Sequence, residues 1–334
     1  MRPMLITTQA LPYRVPVLNW MSEQGIRVLV LGDTRSLRGL SSEIKTIETR
    51  KIFGMLFPKK AQISKDQKAV IFFDLRLLPW VLWRFKLRHV AFWGIGPGRR
   101  AVFNRIRRWV LNRSYGFLAY MPRGLSVVPD NIRPRSIAVI NSVMVSNAKN
   151  LFKVSRKIVF LGTLTPRKRL DVLLRAVSIL NQTGERWNVM VGGDGPERER
   201  LENLAKDLSI QGAVKFVGRL GGDAEKSDLF DGAFLSVLPG QAGLSVLESF
   251  AYGIPVVASA EAETGGESDN VIHNKTGILL RSQSPKELAQ IILSLANNPT
   301  EMQHMSEYAF DHFHQYASGQ KMAERIRDYL EGMQ

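Results

Sequence analysis

Three stretches in the second half of the sequence set charged residues beside glycines: "GTLTPRKR" (162–169), "GGDGPE" (192–197) and "LPGQAGLSVLES" (238–249). The first has three consecutive cations after a proline, and the second is a tight glycine turn ahead of a helical run. In the third, Gly240 and Gly243 precede a short helix whose one carboxylate is Glu248. The leading amides of that helix, on Gly243, Leu244 and Ser245, are unpaired donors backed by the helix dipole, a combination suited to a diphosphate. Glycines there let the main chain approach a ligand closely. Helical spacing turns Leu244, Leu247 and Ala251 to the core and groups Ser245, Glu248, Ser249 and Tyr252 on the opposite face. Glu248 then sits about one turn inside the helix, where a carboxylate can accept bonds from vicinal ribose hydroxyls. Lys168 or a neighbour such as Arg167, on the facing loop, is expected to neutralise the diphosphate.

These loops need a scaffold that brings strand ends together, and the sequence supplies one. In the second half, the strands "KIVFLG" (157–162), "WNVMVGG" (187–193), "VKFVG" (214–218), "FLSVLP" (234–239), "PVVAS" (255–259) and "GILLR" (277–281) alternate with helical runs. Such alternation predicts a doubly wound parallel sheet, which binds ligands at the carboxyl ends of its strands. The first half has near-continuous apolar strands at "MLITT" (4–8), "IRVLVLG" (26–32), "KAVIFFD" (68–74) and "HVAFWG" (89–94), as expected of a sheet covered on both faces. The stretch 100–116 reads as a basic amphipathic helix, with Val102, Ile106, Trp109 and Val110 on its apolar face. The fold class is α/β with two Rossmann-like domains, 1–150 and 151–315. A C-terminal helix, 316–334, is expected to cross back to the first domain.

Charge separates the two halves. The chain of 334 residues carries a net charge of +16. Residues 1–150 hold 26 Lys and Arg against 7 Asp and Glu, a surplus of +19, while the remainder is slightly acidic. The first half is therefore expected to meet something anionic. With no cysteine, disulfides, thiolate nucleophiles and cysteine-bound zinc are excluded. The N-terminus lacks a signal-peptide pattern, and the most apolar run, 77–87, is interrupted by Arg84 and Lys86 and far short of the ~20 residues of a membrane span. The expected location is cytoplasmic.

The segments "FLGTLTPRKRLDVLLRAVSIL", "VGGDGPERERLENLA", "VKFVGRL", "GLSVLESFAYGIPVVAS" and "NKTGILL" stand in the order and spacing of a known family. Together they resemble the retaining glycosyltransferases of the GT-B fold, family four (glycosyltransferases group 1). The resemblance implies transfer of a sugar, with retention, from a nucleotide-diphosphate donor in the cleft between two facing Rossmann-like domains. Glu248 matches the second Glu of the family's Glu-x7-Glu motif, which holds the ribose, and Lys168 matches the lysine on the donor phosphates. Gly243 and Leu244 match the pair whose amides face the diphosphate, and Val217, Gly218 and Arg219 match the edge around the base. The first Glu of the motif falls on Gly240, so the donor-sugar region at Gly240, Gln241 and Ala242 lacks its usual carboxylate. The family's arginine after the first strand falls on Thr163, leaving Arg167 and Arg169 to substitute.

No Asp-x-Asp occurs, so no metal is expected, and no cofactor beyond the donor itself. Cations and amides would stabilise the charge building on the leaving diphosphate. No side chain is assigned as nucleophile or base.

The first half resembles the family only loosely. Its cations, among them Arg99, Arg100, Arg105 and Arg108, lie among Trp80, Trp83, Phe85, Phe92 and Trp93. Most of these aromatics are expected in the core, and the basic surface is expected at an anionic membrane. The acceptor is then a lipid-linked saccharide or a glycan in surface polysaccharide assembly, with the protein peripheral on the inner membrane face. Two other readings are a non-catalytic GT-B scaffold, motivated by Gly240 and Thr163, and a basic nucleic-acid-binding protein. The last lacks any recognised nucleic-acid motif, and nucleic acid is not an expected partner.

Overall fold

The computed structural model describes residues 3–8, 11–32, 39–59, 63–95, 101–261 and 266–333. The chain forms two compact units, Met1–Met144 with Gly319–Gln334, and Val145–Ser318.

The first unit contains strands β1 (Met4–Thr7), β2 (Arg27–Leu31), β3 (Lys45–Ile47), β4 (Thr49–Ile52), β5 (Met55–Pro58), β6 (Ala69–Phe72), β7 (Val90–Gly94), β8 (Gly116–Ala119) and β9 (Ile137–Ala138). Its sheet has the order β3-β2-β1-β6-β7-β8-β9. All its pairings are parallel, while β4 and β5 form a separate antiparallel hairpin. Helices α1 (Val15–Glu23), α2 (Leu78–Arg84) and α3 (Ala101–Leu111) belong to this unit. The inner strands are apolar at nearly every position because both faces are covered; Leu5, Ile6, Val70, Ile71 and Phe92 are all buried.

The second unit contains β10 (Lys157–Leu161), α4 (Leu170–Asn181), β11 (Asn188–Gly192), α5 (Arg198–Asp207), β12 (Val214–Gly218), α6 (Asp223–Phe230), β13 (Leu235–Leu238), α7 (Ser245–Ala251), β14 (Val256–Ser259), β15 (Gly277–Leu280), α8 (Pro285–Ala296) and α9 (Pro299–His312). Its sheet is wholly parallel, in the order β12-β11-β10-β13-β14-β15. Counted within the unit, this is 3-2-1-4-5-6, the order of doubly wound nucleotide-binding sheets. The chain leaves β10 toward one edge and β13 toward the other, so the switch point lies between these two strands. The loops after them are 162–169 and 239–244.

Two helices, α9 and the one that follows it, make up the C-terminal tail. After α9, a π-helical turn at Phe313–Ala317 ends at extended Ser318, and α10 (Gly319–Gly332) begins in the first unit. There the Gly319 amide donates to the Val143 carbonyl at 2.7 Å, and the Tyr329 hydroxyl donates to the Arg135 carbonyl at 2.6 Å. Helix α10 packs on α1. It adds three cations and three acids, so the positive surplus of the first unit persists.

Two expected helix faces are corrected. In α3, Ile106 and Trp109 are exposed, and the strip turned inward is Asn104, Arg107, Val110 and Leu111. Arginine can hold an inward position because its stem packs while its guanidinium lies 5.8 Å from the centre of the Phe73 ring. In α7 there is no polar face. From Ser245 to Ser259 every residue except Glu248 is buried, because α7 packs against β14, α9 and the turn Glu267–Asn270 at once. The serines are small and satisfied; Ser249 Oγ shares hydrogen bonds with Ser236 Oγ at 2.9 Å and the Ser245 carbonyl at 2.8 Å. Tyr252 is buried too, its hydroxyl donating to the Asp223 carbonyl at 3.1 Å. Leu244, expected inside, is half-buried at the helix start.

Candidate functional site

The switch point of the second unit gathers the loops after β10 and β13. Thr165 is extended, Pro166–Lys168 make one 3-10 turn, and Arg169 takes a left-handed conformation (φ 52°) that starts α4. This short turn presses its main chain onto the loop after β13. The Gln241 amide donates to the Arg167 carbonyl at 2.8 Å. The Lys168 ammonium donates to the Gln241 carbonyl at 2.7 Å.

The same contact explains Gly240. A β-carbon there would lie 2.6 Å from the carbonyl carbon of Lys168, closer than real β-carbons come to main chain. The space a glutamate would need is filled by residues 167–168, so no carboxylate can project from this position without moving that loop. At Gly243 a β-carbon would stand 3.4 Å from the Lys168 ammonium. Lys168, Gly240, Gln241 and Gly243 therefore form one cluster. Among the described residues, the amides of Gly243 and Leu244 have no acceptor. Burial pushes the Lys168 ammonium below the ordinary lysine value of 10.5, and the charge of Glu267 partly opposes this. A half-buried ammonium and two amides without acceptors among the described residues thus belong to neighbouring residues of one cluster.

Glu248 follows on α7 and is the half-buried exception on a buried helix. It does not stand alone: Lys226 of α6 is ion-paired to it. Lys226 was not legible as a site residue, since no spacing in the sequence relates it to Glu248. Arg169, by contrast, is engaged with Asp171 and Gln283. Arg167 is exposed beside Lys168, and Ala242 is buried.

The loop after β11 zips to the loop after β10. Leu164 donates to the Asp194 carbonyl at 3.0 Å, and Glu197 donates to the Leu164 carbonyl at 3.1 Å. Val217 and Gly218 end β12, two strands from β10, and Arg219 follows them. The Gly193 amide ties this end inward by donating to the Gly218 carbonyl at 2.7 Å, and Arg219 is exposed.

In the first unit, Arg105 and Arg108 are exposed on α3, and Arg108 lines a cavity of about 380 Å³ with Asn104, Arg107 and Arg133. Arg99 and Arg100 lie outside the described residues. Of the aromatics, Trp80, Phe85, Phe92 and Trp93 are buried, and only Trp83 is exposed. A residue missed in the sequence is Arg14, which is 3% exposed. Its guanidinium lies 4.8 Å from the Trp93 ring centre and 5.0 Å from that of Tyr120. It donates to the Tyr13 hydroxyl at 3.2 Å, the Asn141 side-chain oxygen at 3.3 Å, and the Tyr120 hydroxyl. Arg14 Nη1 and Trp93 Nε1 have no hydrogen-bond partner among the described residues. No helix among the described residues is long and apolar enough to cross a membrane.

Residues 145–312 match the family described as "Glycosyl transferases group 1". The chain belongs to that family. An uncharacterized glycosyltransferase of Haemophilus influenzae is 32% identical over 176 residues, 52% of this chain and 48% of that protein. A GDP-mannose-dependent alpha-(1-6)-phosphatidylinositol monomannoside mannosyltransferase of Mycobacterium tuberculosis is 28% identical over 191 residues, 53% of this chain and 46% of that protein. The chain thus spans about half the length of these two curated relatives. Among solved structures, Anabaena HepE in complex with UDP superposes with a TM-score of 0.73 at 15% identity, covering 99% of this chain and 100% of that one. At that identity the likeness establishes the fold, GT-B.

Proposed function

We propose that this glycosyltransferase-family chain transfers a sugar, with retention, from a nucleotide-diphosphate donor to a lipid-linked saccharide or glycan acceptor in surface polysaccharide assembly. The observation that carries the reading is the cluster at the β10/β13 switch point, where Lys168 and the amides of Gly243 and Leu244 converge one helical turn before Glu248. The Mycobacterium relative is named for a GDP-mannose donor and a lipid acceptor, and the Anabaena structure holds UDP; both names support a nucleotide-diphosphate donor of this kind.

In this reading Lys168 and Arg167 take the diphosphate with the amides of Gly243, Leu244 and Ser245, and Glu248 takes the ribose hydroxyls. Val217, Gly218 and Arg219 border the base, and Gln241 and Ala242 border the sugar beside the closed position at Gly240. Charge builds on the leaving diphosphate as the glycosidic bond breaks. A cation already desolvated stabilises that charge more strongly than a hydrated one. The donor is held without a metal, and no further cofactor takes part. The cationic first unit, with Arg105 and Arg108 exposed beside Trp109, meets an anionic membrane where the acceptor resides.

A thermal-shift screen of UDP-, GDP- and dTDP-sugars tests the donor site. A ligand that binds only the folded state at 100 times its Kd adds about 2.7 kcal/mol of stability. The expected result is a Tm rise with one nucleotide class, abolished by Glu248→Ala, together with transfer or donor hydrolysis. A shift without any turnover would favour the scaffold reading, and no shift with any nucleotide would overturn the donor site.

A further inference from the structure

The hairpin of β4 and β5 spends conformational strain on a side chain that the fold does not use. Its strands pair from Thr49 opposite Pro58 to Ile52 opposite Met55, leaving Phe53-Gly54 as a two-residue connection. Both residues have positive φ, 47° at Phe53 and 79° at Gly54. That is the geometry of a type I′ turn, which favours Asn-Gly, Asp-Gly or Gly-Gly. A phenylalanine is sterically disfavoured there, having neither glycine's freedom nor the short polar side chain of asparagine. Yet Phe53 is 100% exposed, so among the described residues no burying contact holds it. Ile52 and Met55, the last strand pair, are exposed as well, while Leu56 and Phe57 pack on the core. The base of the hairpin is anchored and its tip is apolar.

Charge on either side says what the tip meets. Between Glu48 and Asp66 the sequence has no acid and five cations: Arg50 and Lys51 before the tip, Lys59, Lys60 and Lys65 after it. Arg50, Lys51 and Lys59 are exposed, with Lys59 also paired to Glu48 at 2.7 Å. At ~3.3 Å per strand residue, Arg50 lies about 10 Å behind Phe53. That separation matches an apolar tip sunk ~5–10 Å into the headgroup–acyl boundary with a cationic collar among anionic headgroups. Helix α2 packs against β5 and carries Trp83, 68% exposed, an aromatic of the type found at membrane interfaces.

We infer that the Phe53–Gly54 hairpin is a finger that inserts into an anionic lipid bilayer. The inference deepens the proposed function, resting on it only for the finger's purpose of bringing the chain to a lipid-linked acceptor. A soluble protein partner is the alternative occupant, and it is an outcome of the test.

The test uses the full chain and vesicles of phosphatidylcholine with or without phosphatidylglycerol. Wild type is expected to sediment with phosphatidylglycerol vesicles at low salt and not with phosphatidylcholine alone. Phe53→Asn creates a favoured turn, so it should fold with equal or higher Tm and still lose vesicle binding about tenfold or more. Because the chain has no cysteine, Phe53→Cys can carry an environment-sensitive fluorophore, expected to shift blue with anionic vesicles. The same label on Gln211→Cys, exposed in the second unit, should not shift. Unchanged binding by Phe53→Asn, or no shift at position 53, overturns the inference and leaves a protein partner as the occupant. Nucleotide-sugar thermal shifts run on the same variants keep the two readings apart: donor binding unaltered by Phe53→Asn separates finger from site, and loss of donor binding in wild type would leave the vesicle result standing.

Discussion

Lys168 donates from its ammonium to the main-chain carbonyl of Gln241 at 2.7 Å, joining the loops on either side of the sheet's switch point. The bond orients a cation that burial already makes reluctant to be charged. In the proposed function, a diphosphate donor offers it a full negative charge in place of a carbonyl dipole.

The sign of the pH dependence follows. Burial lowers the ammonium's pKa below 10.5, so the positive form is lost at a lower pH than in an ordinary lysine. Donor affinity should be flat near neutrality and fall as pH rises toward 10.5, and Lys168→Met should remove that fall along with about tenfold or more of the affinity. Isothermal titration with the identified nucleotide diphosphate across pH 7–10 checks this. Because the folded pKa is the lower one, the charged lysine opposes folding, and this cost lessens as pH rises through the folded pKa.

Gly240 is a position where restoring the family's residue should do harm. Gly240→Glu or Gly240→Ala must displace the main chain of residues 167–168. We expect a loss of ~2 kcal/mol or more in urea unfolding for either variant, in the range of overpacking penalties, and weaker donor binding because Lys168 moves with its loop. A stable, fully binding Gly240→Glu would show that the loop yields.

The Lys226–Glu248 ion pair sits on two helices, α6 and α7, with both side chains less than a quarter exposed. Removing the acid leaves Lys226 half-buried without its partner. Glu248→Gln should therefore lower stability by ~1 kcal/mol and weaken nucleotide-diphosphate binding, whereas Lys226→Met should lower stability by a similar amount. If Glu248 grips the ribose, Lys226→Met retains most of the affinity for the nucleotide and Glu248→Gln does not. Titration of both variants with nucleoside diphosphate and with inorganic diphosphate, which has no ribose, separates the roles.

Arg14 is held by three side-chain acceptors and two aromatic rings within 5.0 Å. A lysine in its place is a compact ammonium that cannot span Tyr13, Tyr120 and Asn141 together. Arg14→Lys should cost ~2 kcal/mol, the penalty of leaving buried polar groups unsatisfied. Chemical denaturation of the first unit's near-UV signal measures it.

The inner strands were legible in the sequence because a parallel sheet covered on both faces demands continuous apolar runs, and "KIVFL" or "AVIF" can serve few other roles. The β10 and β13 loops were legible because parallel strands in this order bring their carboxyl ends to one side. The hairpin at 49–58 was not, since "IFGMLFP" lacks the alternation of a half-buried strand and its turn is not one that Phe-Gly favours. The faces of α3 and α7 were misjudged because spacing shows which residues lie together, while burial depends on how many elements close around them. Local pattern thus determined the strands, the glycines and the cations, each a property of neighbouring residues. Only the tertiary structure decided that Gly240 is closed by residues 167–168, that Glu248 meets Lys226, and that Phe53 is left fully exposed. The first two depend on atoms distant in the chain coming within a few ångströms, and the third on where the fold leaves the hairpin tip.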